Sequence, residues 1–261
     1  VALAVKGGFM QQVATWDPEF ESCIVRFQER ATAAQVKAES LHPFDRQLFI
    51  ASLREQFISL YNDFQRGYEV ILRTVVDLNA AGISVGGLPP TGKKSITSIR
   101  HLFPSQEAIE QLNHDEYATQ WASGTTPMYQ ALGLSTQAIA TMYDAVCYLL
   151  REQRDEEARA AFRLLLVLAP HMADFWMGYA VALTRLQQYE EAITSLEQAT
   201  SLDPLSDQSL LLLCRCLAEV GRRGEAEARL NARVDEAARR GDSGRYEFLE
   251  GARYELSRFS K

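Results

Sequence analysis

Cysteine is scarce in this chain: four thiols in 261 residues, Cys23, Cys147, Cys214 and Cys216. Their irregular spacing excludes a disulfide framework and points to a reducing, cytoplasmic setting. Long apolar runs are missing too. None approaches the roughly 18 to 20 residues needed to cross a bilayer, which predicts no membrane insertion. The opening VALAVKGGFM is too short and weakly apolar for a secretory signal, and residues 1–9 read as a processed or appended end with Met10 the candidate start. Positive charge is in deficit, at a formal net charge of -7, with 14 acidic against 11 basic residues before Thr136 and 20 against 16 from there on. Neither half carries the basic excess that a nucleic-acid partner requires. The four histidines (42, 101, 114, 171) are scattered with no ligand-spaced pair, so neither a metal site nor a catalytic triad is predicted. Cys214 and Cys216 stand two apart on a predicted helix and point to different sides, so they read as buried thiols rather than as a chelating pair.

What the chain does have is apolar material, 47% of its residues, enough for one large or two modest domains. From Thr136 onward that material is periodic. Pro170 and Pro204 stand 34 apart, as do Ala158, Ala192 and Ala226, and Leu149, Leu183 and Leu217, with Phe162, Leu196 and Leu230 filling a further apolar position. The units begin near Ile139, Ala173 and Asp207. Each pairs two short helices, with small residues such as Ala180 and Ala192 where the backbones approach and large apolar ones around them. Pro204 ends one helix, and Asp207 is placed to cap the next. One unit cannot bury its own apolar face, whereas three stacked units make a continuous core. Trp176, Tyr179, Ala180, Leu183, Tyr189, Ala192, Leu196, Ala199 and Pro204 in the middle unit resemble the tetratricopeptide pattern. After the GDSG break, residues 243–259 read as an amphipathic helix that caps the stack.

The first half is helical by the same criterion. Asp17-Pro18 opens a helix that His42-Pro43 breaks, and an aromatic stripe (Phe49, Phe57, Tyr61, Phe64, Tyr68) follows at spacings of three and four until Gly82. The expected organisation is therefore a flexible end over 1–16, a helical hairpin over 17–82, an exposed loop or linker over 83–104 and short helices over 105–135. Three repeats over 136–240 and the capping helix complete the chain. The fold class is all-α: an α-solenoid of tetratricopeptide type preceded by a helical domain.

Two stretches invite a chemical reading. GLPPTGKKS, residues 87–95, nearly matches a phosphate-binding loop, but Lys94 stands where the metal-ligating hydroxyl belongs and Ser95 comes one residue late. The preceding LNAAGISV closes a helix, where a true phosphate loop follows a buried strand. The paired carboxylates Glu156-Glu157 and Glu190-Glu191 open second helices, where they complement the helix dipole. No cofactor and no enzymatic activity are predicted.

A three-repeat solenoid offers instead a concave groove lined by the first helix of each unit. The facing positions are Tyr143, Cys147 and Leu150, then Met177, Val181 and Thr184, then Gln208, Leu211, Arg215 and Ala218. This lining is largely apolar, and it lacks the Lys and Asn with which some repeats clamp a carboxyl terminus.

With Tyr143 in the first helix, Trp176, Gly178 and Ala180 in the second unit, and Cys216 shortly before Gly221, residues 136–235 resemble the tetratricopeptide chaperones of bacterial type III secretion that hold hydrophobic translocators. The resemblance implies a cytoplasmic, acidic, dimeric chaperone of a virulence apparatus, with a hydrophobic secreted protein or peptide segment as client. The 135 residues before the repeats exceed what that family carries; their aromatic stripe reads as core or as the seam of a homodimer through these amino-terminal helices, and the domain is read as one that dimerises, selects cargo or occupies the groove until cargo arrives. The alternative reading is a tetratricopeptide scaffold or regulatory adaptor that assembles a complex without an unfolded client.

Overall fold

In the computed structural model of the chain, residues 66–87, 90, 101–102 and 127–258 are described. The expected flexible end, the hairpin up to residue 65, most of the 83–104 segment, residues 105–126 and Cys23 lie outside the described residues. Among the described residues there are helices and turns and no β-strand.

The helices are α1 over 66–80, α2 (Met128–Ala131), α3 (Thr136–Arg151), α4 (Asp155–Leu168), α5 (Ala173–Arg185), α6 (Tyr189–Leu202), α7 (Asp207–Glu219), α8 (Arg223–Arg240) and α9 (Ser243–Arg258). The pairs α3–α4, α5–α6 and α7–α8 form three antiparallel hairpins that stack in chain order, and α9 lies across α8 and α7. Their buried faces merge into one core that runs from Tyr68 to Leu256.

The 34-residue period has a backbone counterpart at the turn inside each hairpin. Gln153, Gln187 and Gly221 are one period apart and adopt φ of 57°, 60° and 80°. Each is the left-handed residue of a Schellman closure. The amide after it reaches back to the periodic leucine: Arg154 to the Leu149 carbonyl at 3.0 Å, Gln188 to Leu183 at 2.9 Å and Arg222 to Leu217 at 2.8 Å. The second helices end differently, at Leu168 and Leu202, with Pro170 and Pro204 two residues on.

Within the stack α4 and α5 meet closely at Gly178. A Cβ there would run into the ring of Phe162, so the missing side chain is what lets this fully buried ring lie between α4 and α5.

The helix starts differ in detail from the sequence reading. The first unit opens at Thr136, three residues before Ile139, because Ser135 Oγ accepts the Ala138 N–H at 3.1 Å. The third opens at Asp207, but its cap is Ser206, whose Oγ accepts the Ser209 N–H at 3.2 Å. Asp207 instead takes two hydrogen bonds of 2.6 Å from the Arg245 guanidinium, tying α9 to the start of α7.

The ends of the 83–104 segment also depart from expectation. Composition reads as an exposed loop, yet Val85 and Leu102 are buried. The Gly86 N–H donates to the Asp144 carboxylate at 2.8 Å, Gln137 donates to the Gly86 carbonyl, and the Tyr68 hydroxyl donates to the Leu102 carbonyl. α1 is fastened as well: Gly67 abuts the Ala160 backbone and Leu164 of α4, and Arg73 pairs with Glu157.

Candidate functional site

Each first helix buries one face against its own second helix and leaves a flank of intermediate exposure. Tyr143, Cys147, Leu150, Met177, Val181, Thr184, Leu211 and Ala218 are all half-buried, while Gln208 and Arg215 are exposed. At Tyr143 the next first helix covers one side through Phe175, and at Leu211 and Ala218 the neighbour is α9.

Tyr143 shows this best. Its ring meets Phe162 edge-on at 6.3 Å between centroids and lies 5.2 Å from Phe175 of α5, tilted by 37°. Its hydroxyl bonds the Cys147 thiol. Burial raises the Tyr143 hydroxyl above the ordinary phenol range, with the thiol and the carboxylates of Asp174 and Asp144 adding to it. Burial likewise raises the Cys147 thiol, with the Tyr143 bond opposing. At neutral pH both groups are uncharged, so the α3 part of the strip is apolar with a neutral polar pair.

The α5 part is held from both sides. Arg185 donates to the Leu150 carbonyl at 2.5 Å and pairs with Asp155 at 3.1 Å, which fixes α5 beside α3. Thr184 Oγ1 donates to the Ala180 carbonyl at 2.8 Å and lies 3.3 Å from Cys216 Sγ on α7, so its polar atom is satisfied within the wall. Met177 and Val181 complete this stretch with apolar side chains. Trp176 is anchored away from the helix face by its indole N–H, which donates to the Pro170 carbonyl at 2.7 Å.

At the third unit the strip changes. Leu211, Arg215 and Ala218 line a cavity of about 240 Å³ whose other walls include Cys214, Leu230 and the α9 residues Ala252 and Leu256. This space lies at the seam between α7 and α9. Leu211, Arg215 and Ala218, which the sequence reading assigns to the groove, line this space together with Cys214, Ala252 and Leu256, which that reading did not name; the 34-residue phase alone gives no information on how closely a non-repeat helix seats.

Among the described residues no cluster of three or more His, Cys, Asp or Glu is arranged to hold a metal ion, and no helix is long and apolar enough to cross a membrane. The carboxylate pairs are engaged locally: Glu157 accepts from Arg154 at 2.8 and 2.7 Å, and Glu191 accepts from the Tyr179 hydroxyl at 2.5 Å. Gly87, the first residue of the near-match to a phosphate loop, has φ of 72° and follows α1 and a tight turn rather than a strand.

Residues 186–243, which span the end of α5 to the start of α9, match the tetratricopeptide repeat family model. The matched span takes in α6, α7 and α8. The all-α tetratricopeptide solenoid expected from the period is thus the fold of the chain's second half. Among solved structures, the chain is similar to a type III secretion system complex from Aeromonas hydrophila, at 18% identity over 55% of this chain and 96% of that one, with a TM-score of 0.49. It is also similar to the CopN–Scc3 complex, at 16% identity over 52% and 76% of the two chains and a TM-score of 0.44. A third similar structure is the type III secretion translocator chaperone SycD of Yersinia enterocolitica, at 20% identity over 48% and 98% and a TM-score of 0.42. No curated protein matches the chain.

Proposed function

We propose that the tetratricopeptide repeats form a chaperone groove that holds an apolar segment of a secreted, membrane-active protein before its export from the cytoplasm. The observation that carries this reading is the strip itself: Tyr143, Cys147, Leu150, Met177 and Val181 are half-open along successive first helices and none bears a charge. An extended segment laid along such a strip places alternate side chains against it, each contributing roughly 1 to 3 kcal/mol when fully buried. The absence of Lys or Arg at the α3 and α5 positions disfavours an acidic peptide. The reading assigns binding and no catalysis to these residues.

The test is affinity capture from the native cell with the wild-type chain and with Tyr143→Glu combined with Met177→Glu. Tyr143 packs on Phe162 and Phe175, so the double variant is first compared with wild type by helical circular dichroism and melting midpoint, and Met177→Glu alone, outside that ring cluster, is captured beside it. The expected result is loss of a secreted, membrane-active partner. An unchanged set of partners sinks the groove assignment.

A further inference from the structure

The seam between α7 and α9 is incompletely filled. Cys214 of α7, Leu230 of α8 and Leu256 of α9 form the floor of the cavity of about 240 Å³ and are themselves buried. Leu211, Ala218 and Ala252 stand half-buried around it. Protein interiors are close-packed and hold few voids larger than a water, and an apolar cavity of roughly 150 Å³ already accepts benzene. Two alanines, Ala218 on α7 and Ala252 on α9, line the space; one period before Ala218, Thr184 spans the α5–α7 seam to within 3.3 Å of Cys216. The space fits one ring or one branched aliphatic group and no run of backbone.

The floor has little to offer water. Its one polar atom, Cys214 Sγ, already donates to the Ala226 carbonyl at 3.4 Å, and burial raises that thiol to about 11, so it is neutral at neutral pH. The mouth is different. Arg215, Glu219 and Glu255 line the cavity from exposed positions. Glu255 has Arg258 at 3.8 Å, but Arg215 and Glu219, one turn apart on α7, have no ion-pair partner among the described residues. They stand in the order that pairs less well along a helix, with the cation before the anion. An apolar recess thus opens beside one guanidinium and one carboxylate that are both uncommitted.

We propose that this cavity is an anchor pocket for one large apolar side chain of the client peptide, of leucine or phenylalanine size, with the peptide backbone on either side held at the mouth by Arg215 and Glu219. The inference rests on the groove reading and gives the strip its far end, since Leu211, Arg215 and Ala218 belong both to the strip and to the cavity wall. The chemistry of the mouth favours a peptide over a free apolar molecule. A backbone brings carbonyl oxygens, to which a guanidinium donates, and amide N–H groups, which donate to a carboxylate. A hydrocarbon uses neither group, and a fatty acid that reached Arg215 would bring its carboxylate beside Glu219 and Glu255.

It is tested on the full chain by methyl NMR of Leu211, Leu230 and Leu256, titrated with N-acetyl-leucinamide, N-acetyl-phenylalaninamide, N-acetyl-alaninamide and toluene. The leucine and phenylalanine amides shift these methyls saturably, and the alanine amide does not. Ala252→Leu, and independently Ala218→Leu, fill the space, keep or raise the melting midpoint and abolish the shifts. Arg215→Ala with Glu219→Ala weakens amide binding roughly three- to tenfold and leaves toluene binding unchanged. The absence of a saturable shift overturns the proposal, as do shifts that persist in both filled variants or a lowered midpoint in both. Amide binding that ignores the mouth variant overturns it too, and marks a site for a free apolar molecule. Affinity capture separates this inference from the groove reading. A partner lost from Met177→Glu but kept by Ala252→Leu overturns the anchor pocket and leaves the groove standing, whereas a partner kept by both overturns the two together.

Discussion

Single residues set how tightly the repeats close. Gln153 and Gln187 hold the left-handed conformation that Gly221 holds in the third unit, and a residue with a Cβ is disfavoured there by roughly 1 to 2 kcal/mol relative to glycine. Gln187→Gly should therefore raise the unfolding free energy by about 1 kcal/mol, read as a higher urea midpoint with an unchanged slope. Gly178 works in the opposite sense. Alanine is the better helix former, yet its methyl would press on the Phe162 ring, and Gly178→Ala should lower stability by about 1 to 3 kcal/mol as an overpacked core does; combining it with Phe162→Leu should recover part of the loss. Thiol reactivity separates the cysteines on the same grounds. Burial pushes the Cys214 thiol up to about 11, and Cys216 is fully buried, whereas Cys147 is half-open. A neutral-pH thiol reagent should modify Cys147 before Cys214 or Cys216, and an apolar peptide seated in the proposed groove should slow that reaction.

At the scale of elements, α1 is the informative one. Its attachment to the solenoid rests on the fit of Gly67 against α4 and on Arg73 with Glu157. The Glu157 carboxyl is held below its ordinary value by Arg154 first and by Arg73 after it. A lowered folded value means that the pairing stabilises the fold at every pH above the unfolded carboxyl value of 4.5 and is lost as pH falls through the lowered one. Amide exchange over residues 66–80 should accordingly speed up in acid before exchange in α5 and α6 does, and Glu157→Gln should bring that faster exchange to neutral pH. Equal loss of protection in α1 and in the repeats would show that the ion pair is not what holds α1 in place. The periodic pattern of Tyr68, Ile71, Leu72, Val75 and Val76 makes the helix and its buried face legible from sequence. Its seat on α4 is not, because Arg73 and Glu157 are 84 residues apart.

At the scale of the molecule, the solenoid is finished by a helix outside its own repeat. α9 covers Leu230 and Cys214 with Leu249 and Leu256, and each leucine contributes roughly 1.5 to 3 kcal/mol by its burial. Deleting residues 242–261 should therefore lower the unfolding midpoint and promote aggregation, and an unchanged melting curve would deny α9 its capping role. The 34-residue spacing of prolines, alanines and leucines was sufficient to determine the helices, their hairpin pairing and the face each buries, since these follow from local spacing within and between adjacent units. Helical phase also assigns each first-helix residue a flank, and of the ten positions it nominates for the groove eight are half-buried while Gln208 and Arg215 are exposed. Tertiary structure alone decided what covers each flank: Phe175 at Tyr143, and α9 across a cavity at Leu211. It also decided that Gly86, where this Gly-, Pro- and Lys-rich stretch begins, is held by Asp144 across 58 residues. The physical reason is common to both. A periodic pattern encodes what one repeat offers its neighbour, and the depth to which a non-repeating element seats depends on side-chain shapes brought together from distant parts of the chain.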